Sequence, residues 1–276
     1  MANGPEGGGL PPDIDFSRPH TARMYDYLLG GKDHFAVDRE TMEAGLQSWP
    51  SARVYARENR KFLARAVEYL VREAGIRQFL DIGTGLPSAA NVHEVAQGIA
   101  PDSRIVYVDN DPLVLVHAQA LLASDPAGQT AYVQADLRDP EKILAHPVVR
   151  ETLDFSEPIA LFLLAILHFI PDEDAPGAIV STLMSGLVPG SYLVSSHVTA
   201  ELDPEGVHGM ERAYRSGGLW AGARNAVDFG RLFFTGLELV DPGVVPISDW
   251  RPSGAELPPL PSEVSSTGAI GRKPLA

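Results

Sequence analysis

Apolar residues along this chain fall into two patterns: stretches where they recur every three or four positions, and short continuous runs bounded by Gly, Pro, Asp and Asn. The helical pattern comes first. Arg18 to Lys32 keeps Tyr25, Leu28 and Leu29 at helical spacing before Gly30-Gly31, predicting a short helix and a turn. Asp38 to Leu46 and Ala52 to Glu73 read as further helices, the second with Val54, Phe62, Leu63, Val67 and Leu70 broadly on one face. From Gln78 onward strand and helix alternate at the spacing of a parallel sheet with crossover helices. Strands are predicted at Gln78 to Ile82, Arg104 to Val108, Thr130 to Gln134, Pro158 to Leu164, Ser191 to Ser196 and Leu237 to Val245, with a last one, Ser265 to Arg272, antiparallel at the sheet edge. Helices fill Ser88 to Gly98, the segment opened by Asp111-Pro112, Ala175 to Leu187 and Val227 to Phe234. Ala200 to Ala226 has no clear period and reads as a partly helical cap, and Pro252 to Pro261 as a loop.

The expected architecture is α/β: a Rossmann-like doubly wound sheet of about seven strands with an N-terminal helical cap. Residues 1–15, rich in Gly and Pro, are expected to be a disordered tail, 16–75 the helical cap, and 76–276 a ligand-binding core with an insertion near 200–226. One stretch organises this core. Gln78 to Ile82 runs through Asp81 into Gly83-Thr84-Gly85 and then a helix, which is how a doubly wound sheet builds a nucleotide pocket. Asp81, Asp109 and Asp136 fall at the ends of the first three strands, and in a parallel sheet these ends share one edge. Any one of them alone reads equally well as the cap of a turn or helix. Gly30-Gly31-Lys32 is not a phosphate loop, because Asp26 stands where an earlier glycine is needed and Asp33 where a magnesium-holding hydroxyl is needed.

Composition narrows the partners. A net charge of -14 opposes nucleic acid and anionic membranes. The absence of cysteine excludes disulfides and thiolate chemistry, and the first residues lack the pattern of a signal peptide. The longest apolar run, Ile159 to Ile170, is too short to span a bilayer, so the reading is cytoplasmic. The oligomeric state is left open, a homodimer included.

Asp81-Ile82-Gly83-Thr84-Gly85, Val108-Asp109-Asn110-Asp111-Pro112 and Ala135-Asp136-Leu137 resemble, in order, the first three motifs of class I S-adenosylmethionine-dependent methyltransferases. The segments Ala22 to Lys32, Asn59-Arg60, Leu163 to Ile170 and Gly271 to Pro274 resemble more closely an actinobacterial S-adenosyl methyltransferase family, long a domain of unknown function. That resemblance covers nearly the whole chain and implies S-adenosyl-L-methionine as cofactor but no particular acceptor. It implies Gly83, Thr84 and Gly85 beneath the methionine and ribose, Asp81 toward the amino group, Asp109 on the ribose hydroxyls, and Asp136, Leu137 and Asn110 around the adenine. Ala165 would lie near the sulfonium, and Arg60 would pair with the cofactor carboxylate or else form an ordinary surface salt bridge.

Methyl transfer is an in-line displacement, so alignment in a dry pocket is the protein's main task. His168 and His197, immediately after the fourth and fifth strands, are candidate general bases, and Tyr25 is a candidate catalytic residue lining the acceptor site; each also reads as an ordinary packed side chain. Asp172, Glu173 and Asp174 read as the first turn of the next helix, and no metal is predicted. The expected activity is O-methylation of a small molecule. The alternatives are a non-catalytic S-adenosylmethionine sensor and, more weakly, an NAD-dependent dehydrogenase. The third glycine of the dinucleotide fingerprint is missing at Ser88, and Asp81 would face a pyrophosphate.

Overall fold

The structure, a computed structural model, describes residues 14–88, 90–121, 127–252 and 257–275. Three helices come first: α1 (Thr21–Leu29), α2 (Ala36–Ser48) and α3 (Ala52–Arg72). The core follows as β1 (Gln78–Ile82), α4 (Val92–Ile99), β2 (Arg104–Asp109), α5 (Pro112–Leu121), β3 (Gln129–Gln134), α6 (Pro140–Ala145), α7 (Pro147–Thr152), β4 (Ala160–Leu163), α8 (Pro176–Ser185) and β5 (Tyr192–Val198). The remainder is α9 (Pro204–Ser216), α10 (Ala226–Phe233), β6 (Glu238–Leu239), β7 (Val245–Pro246), α11 (Pro261–Val264) and β8 (Ser266–Arg272).

The sheet runs in the order β3-β2-β1-β4-β5-β8-β6, with β7 also pairing β8. β1 to β5 are parallel to one another and β8 is antiparallel to β5. The central strands are buried on both faces, which is why they read as unbroken apolar runs. Phe79, Ile105, Phe162 and Val194 pack toward α3, against Phe62, Leu63, Val67 and Leu70. Their neighbours Leu80, Val106, Leu161 and Leu193 pack the other way, with Ile179, Leu183 and Phe229 of α8 and α10.

The N-terminal helices and the insertion meet over the carboxyl edge of the sheet. α1 ends at Gly30, whose φ of 83° suits glycine. A Cβ on Gly31 would collide with the Asp26 carboxylate, which accepts a hydrogen bond from the Asp33 N–H at 2.9 Å. The glycine pair thus serves a turn wrapped around Asp26. α2 and α9 pack where Gly45 faces Met210 and Gly209 faces Ser48, and a side chain at either glycine would drive the helices apart.

Several expectations change. The single strand at Leu237 to Val245 is two short ones, β6 and β7, because the Asp241-Pro242-Gly243 turn interrupts it. β8 is not an edge strand, since β6 and β7 cover its free side. Asp172–Asp174 form a separate 3₁₀ turn ahead of α8, and Asp172 and Asp174 pair with Arg224 and Arg138. The short helices α6 and α7 have no counterpart in the sequence reading. Residues 1–13 of the expected tail lie outside the described residues, while Ile14 is buried beside Ala22, Leu86, Leu113 and Val114.

Candidate cofactor and acceptor site

A cavity of about 340 Å³ opens over the carboxyl ends of β1, β2, β3 and β4. Asp81, Gly83, Thr84, Gly85, Asp109, Asn110, Asp136, Leu137, Ala165 and Arg60 all line it, with Tyr25 and His168. Gly83 and Gly85 hold φ of 75° and 69°, where a side chain is strained, and a Cβ on Gly83 would strike Ile166. The Asp109 carboxylate is fixed by two backbone donors, the Gly85 N–H at 2.8 Å and the Asp111 N–H at 3.0 Å. That leaves lone pairs on a buried acceptor beside the glycine turn. Asp136 sits nearer the surface, accepting from Asn110 Nδ2 at 3.2 Å and from the Arg138 N–H at 2.9 Å.

The electrostatics are lopsided. Asp81 is buried, and burial is the main force pushing its pKa up to about 7; the Asp109 charge adds to this, while Arg60 and a hydrogen bond with Thr84 oppose it. Burial raises the pKa of Asp109 as well, against its backbone hydrogen bonds. Two buried carboxylates thus face one cavity; of its lining guanidiniums, Arg60 acts on Asp81, and its Nη2 also donates to the Ala90 carbonyl and to Asn91 Oδ1, while Arg138 pairs with Asp136 and Asp174. Such a site favours a ligand that carries positive charge and donates hydrogen bonds.

A chain of hydrogen bonds ties the helical cap to the turn after β4. Tyr25 Oη donates to the Ala56 carbonyl and accepts from Asn59 Nδ2, both at 3.0 Å. Asn59 Oδ1 accepts from Ser196 Oγ at 2.6 Å, and Ser196 Oγ accepts from the Ala165 N–H at 3.0 Å. Ala165 has a φ of 52°, an uncommon conformation for a non-glycine residue, and this chain holds it in place. The Tyr25 hydroxyl has therefore committed its proton to the Ala56 carbonyl, and burial pushes its pKa up. Tyr25, which lines the cavity, is corrected from candidate catalytic group to positioning residue.

The two histidines part company. His197 is fully buried and does not line the cavity. Its Nδ1–H donates to the Val198 carbonyl at 2.8 Å and its Nε2 accepts from Arg224 at 2.9 Å, a tautomer set by a partner that can only accept and one that can only donate. Burial and Arg224 bring its pKa down to about 3. The expectation of a general base at His197 is thereby corrected. Arg224 also donates to the Leu167 and Ile170 carbonyls, so His197 acts by steadying the turn that carries His168. His168 does line the cavity, is neutral because burial holds its pKa well below the ordinary value, and has no hydrogen-bond partner at Nδ1 among the described residues.

Sequence reasoning passed over Asn59 and Ser196 as members of a network, and Arg138 and Tyr55 as lining residues. Only Asn59-Arg60 carried a signal, as part of a matched segment.

A sheet of this order, flanked by helices, is the fold of class I S-adenosylmethionine-dependent methyltransferases. The sequence pattern of the S-adenosyl methyltransferase family matches residues 8–274, and the chain belongs to that family. It is similar to a DUF574 family protein of known structure from Streptomyces avermitilis, at 46% identity over 94% of this chain and 99% of that one, with a TM-score of 0.89. A candidate methyltransferase from Thermobifida fusca is 44% identical over 96% of this chain and 98% of its own, with a TM-score of 0.88. A S-adenosylmethionine-dependent methyltransferase from Anabaena variabilis shares the fold at 15% identity, covering 75% of this chain and 83% of its own, with a TM-score of 0.50. No functionally curated protein matches the chain. The protein is a S-adenosylmethionine-dependent methyltransferase, and S-adenosylmethionine is its cofactor. No helix among the described residues is long and apolar enough to cross a membrane.

Proposed function

We propose that the protein O-methylates a small molecule held between the helical cap and the turn after β4. The observation that carries this reading is the pairing of a carboxylate-rich cavity with a more apolar region beyond Ala165 and Ile166. The bound cofactor supplies an electrophilic methyl group on a sulfonium. The chain's part is to hold it and to align the acceptor. Asp81 takes the amino group, a cation suited to a carboxylate starved of positive charge. Gly83, Thr84 and Gly85 form the floor, Asp109 accepts from the ribose hydroxyls, and Asp136, Asn110 and the Leu137 amide receive the adenine. Arg60 takes the cofactor carboxylate, a reading supported by its lining the cavity within electrostatic reach of Asp81. His168, neutral and facing the cavity, stands where an acceptor hydroxyl can pass its proton. The apolar region beyond the turn supports turnover over a purely sensory role, because a sensor has no use for an acceptor pocket.

Calorimetric titration with S-adenosylmethionine, S-adenosylhomocysteine and NAD tests the ligand assignment. Saturable binding of both adenosyl ligands and none of NAD is expected; binding of NAD alone would overturn it. Asp109→Ala is expected to weaken S-adenosylhomocysteine binding by about 1–3 kcal/mol, because ribose hydroxyls lose a buried acceptor and the Gly85 N–H loses its anchor. Unchanged affinity in a folded variant would remove Asp109 from the ribose site.

A further inference from the structure

Behind the main cavity lies a second, smaller one of about 40 Å³, walled by α2, α3 and α9. The two share Leu28, Tyr55, His168, Phe169 and Tyr214, so they adjoin at these side chains. The inner wall is almost wholly apolar and aromatic, with Trp49 stacked on Tyr55 at a ring distance of 5.4 Å. Three residues of this wall carry a buried polar atom that stands out: Trp49 Nε1, Tyr55 Oη and His168 Nδ1. Each is buried and has no hydrogen-bond partner among the described residues, although such groups are nearly always paired. Three unpaired polar atoms around one chamber, on three different elements, point to a ligand that completes them.

The chemistry of that ligand can be read from the wall. Trp49 Nε1–H can only donate, and Tyr55 Oη, kept protonated by burial, donates readily, so the inner end of the ligand carries a hydrogen-bond acceptor. Glu211, the one carboxylate on the wall among the described residues, already accepts from the Ala223 N–H at 2.6 Å and pairs with His208 and Arg215. Among the described residues no lysine or arginine lines the chamber. A cation or an anion would therefore be buried there without a counter-charge, at high cost. The chamber's volume is close to that of one water molecule, roughly 30 Å³ in the liquid, so only the leading edge of a ring system enters it. The rest lies in the main cavity beside His168.

We propose that this chamber is the inner end of the acceptor subsite, and that it takes the edge of an uncharged, planar hydroxyarene whose inner oxygen pairs with Tyr55 Oη and Trp49 Nε1. This rests on the main cavity being the cofactor site. In that arrangement a second, reactive hydroxyl at the far end of the ring system is directed to the mouth, where His168 stands; a monohydroxy arene such as 2-naphthol fills the inner end alone and so reports on that contact.

The test is a titration of the full-length protein, saturated with S-adenosylhomocysteine, with 2-naphthol, using 2-naphthoate and trimethylphenylammonium as charged controls. Saturable binding of 2-naphthol is expected, with neither control binding within tenfold of it. Tyr55→Phe and Trp49→Phe are each expected to weaken 2-naphthol about tenfold while S-adenosylhomocysteine still saturates. Because Tyr55→Phe deletes an unpaired buried hydroxyl, the unliganded variant is expected to melt at the same temperature as wild type or higher. A lower melting temperature together with no 2-naphthol binding would mean that the chamber holds a structural water, and would overturn the proposal. So would equal 2-naphthol affinity in wild type and both variants, or equal binding of a charged control. Those failures leave the cofactor reading intact as long as S-adenosylhomocysteine binds; failure of S-adenosylhomocysteine itself would bring down both.

Discussion

Arg23→Ala is expected to destabilise the protein by about 3–5 kcal/mol, the cost of leaving one partner of a buried ion pair uncompensated. Arg23 and Asp111 are 3% and 0% exposed, and the guanidinium meets the carboxylate through Nε at 2.8 Å and Nη2 at 3.2 Å. The same guanidinium donates from Nη1 to the Asp15 carbonyl at 2.9 Å and lies over the Phe35 ring, 5.2 Å from its centre. Asp111 is equally committed, since it accepts from the Leu113 N–H at the start of α5 and lies 3.3 Å from His20 Nδ1. Removing the arginine leaves a carboxylate in a site that water does not reach. The damage would not stop at stability. Asp111 donates its own N–H to Asp109, so a displaced Asp111 loosens the proposed ribose ligand, and α1 loses its anchor on the core. Denaturant unfolding of two variants separates these effects. Arg23→Ala should show the full loss, whereas Arg23→Gln combined with Asp111→Asn should cost much less, because that pair strands no charge and keeps an oxygen for the Leu113 N–H. A loss below about 1 kcal/mol in Arg23→Ala would mean that the pair is not what holds the cap.

What the sequence made legible was whatever repeats or terminates. Parallel strands covered on both faces must be apolar throughout, so β1, β2, β4 and β5 stood out as runs. The acids at their ends stood out because a carboxylate closing an apolar run is conspicuous, and Asp81, Asp109 and Asp136 do line one cavity. Long-range pairing was not legible. Nothing near His197 announces that Arg224 occupies its outer nitrogen, and nothing near Tyr25 announces Asn59 or the Ala56 carbonyl. Both residues were of suitable chemistry at a suitable edge, and both were spent on structure. Ala165 carries no mark of its positive φ, because alanine is not a residue that advertises that conformation; the constraint comes from Ser196, 31 positions away. Trp49 and Tyr55 flank the α2–α3 junction and read as core aromatics, which by burial they are. Only their unpaired polar atoms set them apart, and that is a property of the folded surroundings.

Asp81 shows how a site of this kind holds energy in reserve. Its pKa rises from 3.8 in an exposed carboxyl to about 7 in the folded protein, mainly through burial. Between those values the folded state keeps a proton that the unfolded state has lost, so its contribution to stability falls as pH rises from about 4 to about 7 and is level above. At about 1.36 kcal/mol per unit, the charged carboxylate costs the folded protein roughly 2–4 kcal/mol at pH 8 once some water in the cavity is allowed for. Asp81→Asn should therefore be more stable than wild type in denaturant unfolding at pH 8, with the advantage shrinking toward pH 5. The same substitution should bind S-adenosylhomocysteine more weakly, because the ammonium group then meets a neutral amide. In the wild type, binding below pH 7 must first drive the proton off Asp81. Affinity should then fall by close to tenfold per pH unit in that range, with one proton released per ligand bound, and this slope should vanish in Asp81→Asn. Calorimetry in two buffers of different ionisation enthalpy measures the released proton directly. A wild-type affinity that is flat between pH 5 and pH 7 would mean that Asp81 does not receive the amino group. A more stable variant that binds poorly would identify the buried charge as a cost that the fold carries for its cofactor.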